Sequence, residues 1–189
     1  MSCGARRLAS IALGGLSLFL CAVPARAADC APVPTARRSV VRIVDVETVV
    51  LDDGREVRLA GIVAPRARDV AGTGSWPAEE AARRALSEML VGRTVGFRRT
   101  SGAEQSDIDR YGRLAVQLFL IEGEGGVTTW VQGALVSRGL ARAGEVAGSA
   151  DCTRALLALE QPPRASGRGI WALGAYRIRR ATRTAELWR

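Results

Sequence analysis

Between Val40 and Ile62 three short aliphatic runs follow one another almost without interruption: Val40, Val41, Ile43 and Val44, then Val49, Val50 and Leu51, then Val57, Leu59 and Ile62. β-Branched residues dominate them, and such residues lose χ1 freedom in a helix but pack well on a pleated surface, so each run reads as a strand. Asp53-Gly54 separates the second from the third and is the signature of a two-residue hairpin, because glycine accepts the positive φ that the turn needs. The chain is thereby committed early to an antiparallel meander, and the remaining residues must cover it.

The covering elements are punctuated by glycine and proline. Gly72 to Ser75 reads as a loop, and Pro77 suits the first turn of a helix whose positive end is met by Glu79 and Glu80. Ala82, Leu86 and Met89 recur at helical spacing, and the helix is expected to stop near Gly92. Strands are predicted around Thr94 to Arg99 and Leu114 to Ile121, then a short helix carrying Val131, Leu135 and Val136 to a stop at Gly139. A last helix begins near Asp151, carries Leu156, Leu157 and Leu159, and should break or kink at Pro162-Pro163. Five strands with about three helices predict an α+β protein built on a small, partly open barrel. Trp76, Trp130 and Trp171 sit at helix boundaries, where packing against the core is their expected role.

Residues 1–27 have the layout of a secretory signal: Arg6 and Arg7, an apolar run from Leu8 to Val23, and Ala25-Arg26-Ala27 as a small-x-small cleavage site. The apolar run is too short for a good membrane span, so an exported protein, periplasmic or secreted, with no span after cleavage is expected. Cleavage removes three arginines and no acid, which lowers the formal charge of +8 to +5. That balance permits an anionic partner without requiring one. Cys3 and Cys21 leave with the signal. Cys30 and Cys152 remain as an even pair in an exported chain, and a disulfide between them is expected.

The sequence has no histidine, which excludes a histidine base, Ser-His-Asp or Cys-His triads and histidine-ligated metals. It has no lysine either, so any recognition of anions falls to arginine. Chemistry is left to carboxylates, guanidinium groups, hydroxyls and thiols.

Five segments together resemble the staphylococcal-type thermonucleases. They are Val44-Asp45-Val46-Glu47-Thr48-Val49, Arg58-Leu59-Ala60-Gly61-Ile62-Val63-Ala64-Pro65 and Asp109-Arg110-Tyr111-Gly112-Arg113, then Val131 to Val136 with Gly139-Leu140-Ala141, and finally Gly169-Ile170-Trp171. The resemblance runs from Val40 to Trp171 and implies an OB-fold barrel over 40–173 with ancestral nuclease activity on DNA or RNA. Around it lie the signal at 1–27, a Pro-containing lead-in at 28–39 and a basic tail at 174–189.

The resemblance also implies where the chemistry sits and where this chain departs. Arg58 and Arg113 take the positions of the two phosphate-binding arginines, catalytic if the site is active, and Arg110 adds a nearby charge. Asp45 and Glu47 stand where a calcium-binding carboxylate is expected, with Glu47 one methylene longer than the family's aspartate. The second calcium aspartate is replaced by Val63, which offers no side-chain oxygen to a hard cation. Arg66 follows Pro65 where the general-base glutamate belongs, and a guanidinium cannot accept a proton from water. Glu145 and Ala147 stand where two nucleotide-packing tyrosines are expected. The expectation is an exported thermonuclease-like domain with impaired hydrolysis and no cofactor. It would bind phosphate-bearing anions or nucleic acid through Arg58, Arg66, Arg110 and Arg113, with Glu47 and Asp69 as acids able to balance the cluster. Two alternatives stand beside it. One is an active metal-dependent phosphodiesterase using Ca²⁺ on Asp45, Glu47 and Asp69. The other is a structural or protein-interaction domain of the cell envelope.

Overall fold

A computed structural model describes residue 30 and residues 37–66, 76–100, 107–123 and 126–176. The signal segment, most of the lead-in, Asp69 and the tail from 177 onward lie outside the described residues.

The meander is formed by β1 (Arg37–Asp45), β2 (Thr48–Leu51) and β3 (Glu56–Leu59), all antiparallel, with Ile43 opposite Val49 and Val49 opposite Val57. β1 starts at Arg37, three residues before the first aliphatic run. The Asp53-Gly54 turn is present but has three loop residues, not the two expected. Gly54 donates to the Leu51 carbonyl at 3.0 Å, and Leu51 donates back to Arg55 at 3.0 Å, with Gly54 at φ 81°. This is a type I turn followed by a left-handed bulge residue. Asp53 favours it by accepting from the Arg55 backbone at 3.2 Å and from the Arg38 side chain at 2.9 Å.

The chain continues through β4 (Ile62–Val63), α1 (Pro77–Leu90), β5 (Thr94–Arg99) and β6 (Leu114–Glu122). β5 pairs antiparallel with both β1 and β6, and β6 pairs parallel with β3, which matches Val57 to Leu114 and Arg58 to Ala115. That last pairing joins the two ends, so β1, β2, β3, β5 and β6 make a closed barrel where a partly open one was expected. It is the OB-fold α+β architecture that the resemblance implied. β7 (Gly126–Trp130) extends the sheet beyond β6, and the short β4 pairs with β8 (Arg142–Ala143).

Inward-facing Val40, Val49, Leu51, Val57, Leu59, Val95, Val116 and Leu118 fill the barrel. Leu86 and Leu90 of α1, Leu135 of α2 (Val131–Ser137) and Leu156 of α3 (Ala150–Ala165) close over them. α3 runs through Pro162 and Pro163 to Ala165, so of the expected break or kink there is no break. Both prolines fall in its last turn. There Pro163 is buried near Gly139, and Ser166 and Arg168 donate to the proline carbonyls at 3.1 and 2.9 Å, so the end is capped by packing and local bonds. Cys30 and Cys152 form the expected disulfide with Cα atoms 5.0 Å apart, holding the segment before β1 to the start of α3. Trp76 stacks on Tyr176 with centroids 5.8 Å apart, and Trp171 meets the same ring edge-on. Trp130 donates its indole N–H to Gln117 at 2.9 Å.

Candidate anion-binding site

Strand alternation sends Val57 and Leu59 into the barrel and leaves Arg58 half-buried on the outer side of β3. Its register partners are Thr48 on β2 and Ala115 on β6. The tight β1–β2 turn delivers Glu47 beside it. Asp45 accepts from the Glu47 backbone N–H at 2.7 Å, and the Glu47 carbonyl accepts from Leu59 at 2.7 Å.

The Glu47 side chain is buried, and both of its oxygens are engaged. Oε1 accepts from the Ala64 backbone at 2.9 Å and pairs with Arg66 Nη2 at 3.0 Å, while Oε2 accepts from Arg58 Nη2 at 3.3 Å. A carboxylate removed from water is strongly disfavoured unless it is hydrogen-bonded and paired, and here two guanidinium groups and an amide meet that need. Arg66 thus lies in the site with Arg58, and Glu47 is the acid that balances both.

Arg113 arrives from the loop before β6. Asp109 shapes that loop, accepting at Oδ1 from the Tyr111 and Arg113 backbones at 2.9 and 3.0 Å, while Gly112 takes φ 77°. Asp109 Oδ2 also accepts from Arg113 Nε at 2.9 Å and pairs with its Nη2 at 2.7 Å. The remaining edge turns inward, with Nη1 donating to the buried Thr48 hydroxyl at 2.9 Å. Thr48 therefore joins Arg113 to the strand pair that carries Arg58. The hydrogen bond that Arg113 donates to Asp109 raises the Arg113 pKa. Burial alone would push the Asp109 carboxyl up, but the hydrogen bonds from Arg113 and Tyr111 outweigh it and hold the carboxyl below its ordinary value. Arg110 lies over the exposed Tyr111 ring at 4.8 Å, and the Arg113 guanidinium is 5.1 Å from the same ring.

A calcium ion does not fit this donor set. Glu47 directs its oxygens at three N–H donors, Asp45 Oδ1 is taken by a backbone N–H, and Val63 supplies only methyl groups. Among the described residues no group of three or more Asp, Glu, Cys or His side chains could hold a metal ion. Beyond Val63 a groove of about 1100 Å³ runs along β8 and the start of α3, lined by Arg142, Glu145, Thr153 and Leu157 among others and, among the described residues, by no aromatic ring.

Three contributors have roles that the sequence does not disclose, although Thr48, Ala64 and Gln132 fall within the resembling segments: the Ala64 amide, the Thr48 hydroxyl and a buried glutamine pair behind the β3–β4 turn. Gln117 donates to the Ala60 carbonyl at 3.0 Å, and Gln132 donates to Val116 at 2.8 Å while accepting from Leu118 at 3.1 Å. The only available signal was the polarity of Gln117 and Gln132 within otherwise apolar runs.

Barrel, helices and arginine positions together define a nuclease-like OB-fold domain. The family described as staphylococcal nuclease homologue matches residues 56–173, more than half of the chain, and the protein belongs to that family. A search of curated proteins found no match.

Proposed function

We propose that this is an exported member of the nuclease family that has lost metal-dependent hydrolysis and retains an arginine site for phosphate-bearing anions, nucleic acid among them. The observation that carries the proposal is the occupancy of Glu47: its oxygens accept from Ala64, Arg66 and Arg58, where a hydrolytic site would need them turned toward a cation. Arg66 cannot serve as a base, so no group at that position activates water. What the site does offer is Arg58 on a strand and Arg113 on a loop tied to it through Thr48, with Arg66 on the same Glu47 carboxylate as Arg58 and Arg110 over the Tyr111 ring that Arg113 also approaches. Planar guanidinium groups donate paired hydrogen bonds to phosphate oxygens and need no metal to do so. Export is supported by the leader-like residues 1–27 and by the Cys30–Cys152 disulfide, and no helix among the described residues is long and apolar enough to cross a membrane.

The test is calorimetric titration of the mature protein with inorganic phosphate and with a short single-stranded oligonucleotide, in EDTA at low salt. Binding of both is expected, weakening steeply as salt rises. Arg58→Ala and Arg113→Ala should each lower affinity by about 10- to 150-fold, since a charge-assisted pair contributes roughly 1.5–3 kcal/mol. Binding unchanged in both variants would refute the site.

A further inference from the structure

Resting on the anion site proposed above, we infer that Glu47 is its affinity-setting residue: a built-in carboxylate that competes with any external phosphate for Arg58 and Arg66. Glu47 is held on every side. Its N–H donates to Asp45 at 2.7 Å, its carbonyl accepts from Leu59 at 2.7 Å, and its Oε1 accepts from Ala64 at 2.9 Å. Its side chain is only 5% exposed, whereas the Arg58 and Arg66 side chains are 39% and 37% exposed and reach the surface. An arriving phosphate thus meets two accessible guanidinium groups whose shared counter-ion stays in place.

Two consequences follow from elementary electrostatics. The fixed carboxylate removes one unit of positive charge from the field that attracts the anion, and it accepts N–H groups that a phosphate oxygen would accept. A supporting role for Glu47 makes the opposite prediction, because a carboxylate needed to orient the arginines, or to hold a cation, would weaken phosphate binding when neutralised. The sign of the effect separates the two.

Glu47→Gln keeps an oxygen for the Ala64 amide and removes the charge. In EDTA at low salt it should bind inorganic phosphate about tenfold more tightly than the parent, a difference that corresponds to about 1.4 kcal/mol. In phosphate-free buffer its thermal midpoint should fall, because Arg58 and Arg66 lose their shared counter-ion. Added phosphate should raise that midpoint by more than it raises the parent's, as linkage requires of a tighter ligand. Glu47→Asp, which keeps the charge but withdraws it by one methylene, provides a second variant should the glutamine form not fold, and a tightening of a few-fold is expected. Phosphate affinity equal to or below the parent's in whichever variant folds would overturn the proposal while leaving the anion site intact. Arg58→Ala and Arg113→Ala, titrated alongside, isolate the site itself: unchanged affinity in both would overturn the site and the role of Glu47 together.

Discussion

Asp109 shows how one carboxylate can both shape a loop and aim a cation. Because its pKa is lowered in the folded protein, its contribution to stability is complete above the ordinary carboxylate value of about 3.9 and is lost as pH falls through the folded value. Acid titration of the unfolding midpoint should therefore show a loss beginning near about pH 4 that is smaller in Asp109→Asn. Asp53 is a useful contrast. Hydrogen bonds from Arg55 and then Arg38 hold its carboxyl well below the usual range, yet it lies at the far end of the β2–β3 hairpin. Asp53→Asn should blunt acid sensitivity in the same direction and leave phosphate affinity unchanged, whereas Asp109→Asn should lower phosphate affinity several-fold by releasing Arg113. At this scale the arginines were legible, because Arg58 and Arg113 sit in recognisable segments. From the sequence both Glu47 and Asp69 are candidate partners of Arg66; Glu47 pairs with it across eighteen intervening residues because the barrel brings them together, and Asp69 lies outside the described residues.

Among the elements, the β3–β4 turn matters most because it joins Arg58 to the strand that leads to Ala64 and Arg66. Gly61 makes the turn with φ 80°, and a Cβ there would collide with Val146 and lie 2.8 Å from Leu156 Cδ1. Gly61→Ala should therefore cost about 2–4 kcal/mol in urea unfolding, from backbone strain and overpacking combined. Helices were read well where punctuation is strong: Pro77 opens α1, and Gly92 and Gly139 follow the ends of α1 and α2. Two-residue strands such as β4 and β8 carry no periodicity, so nothing in their sequence announces a pairing that depends on the chain returning from Ile62 to Ala143. The prolines of α3 fail to end the helix for a related reason. Their cost is local, but burial of Pro163 beside Gly139 is tertiary and prevails.

At the level of the whole molecule, the disulfide spans 122 residues and ties the entry of β1 to α3. Cys30→Ser with Cys152→Ser should lower stability to urea by about 2–5 kcal/mol, and reduction with dithiothreitol should have the same effect on the parent. Closure of the barrel was the global feature least accessible from sequence, since the parallel β3–β6 pairing joins segments more than fifty residues apart. The molecule that results keeps Arg58 and Arg113, the arginines that the resemblance matches to the family's phosphate-binding pair, on a closed barrel, with Val63 and Arg66 standing where acids are expected. We propose that this is a binding site without hydrolysis. Plasmid cleavage by the purified mature protein, with Ca²⁺ and with EDTA, is the most direct measurement, run beside Arg66→Glu and the triple variant Glu47→Asp, Val63→Asp, Arg66→Glu. No metal-dependent cleavage is expected from the parent or from Arg66→Glu, and the triple variant is the smallest set expected to gain any. Calcium-dependent cleavage by the parent that disappears in Arg58→Ala and Arg113→Ala would contradict the account.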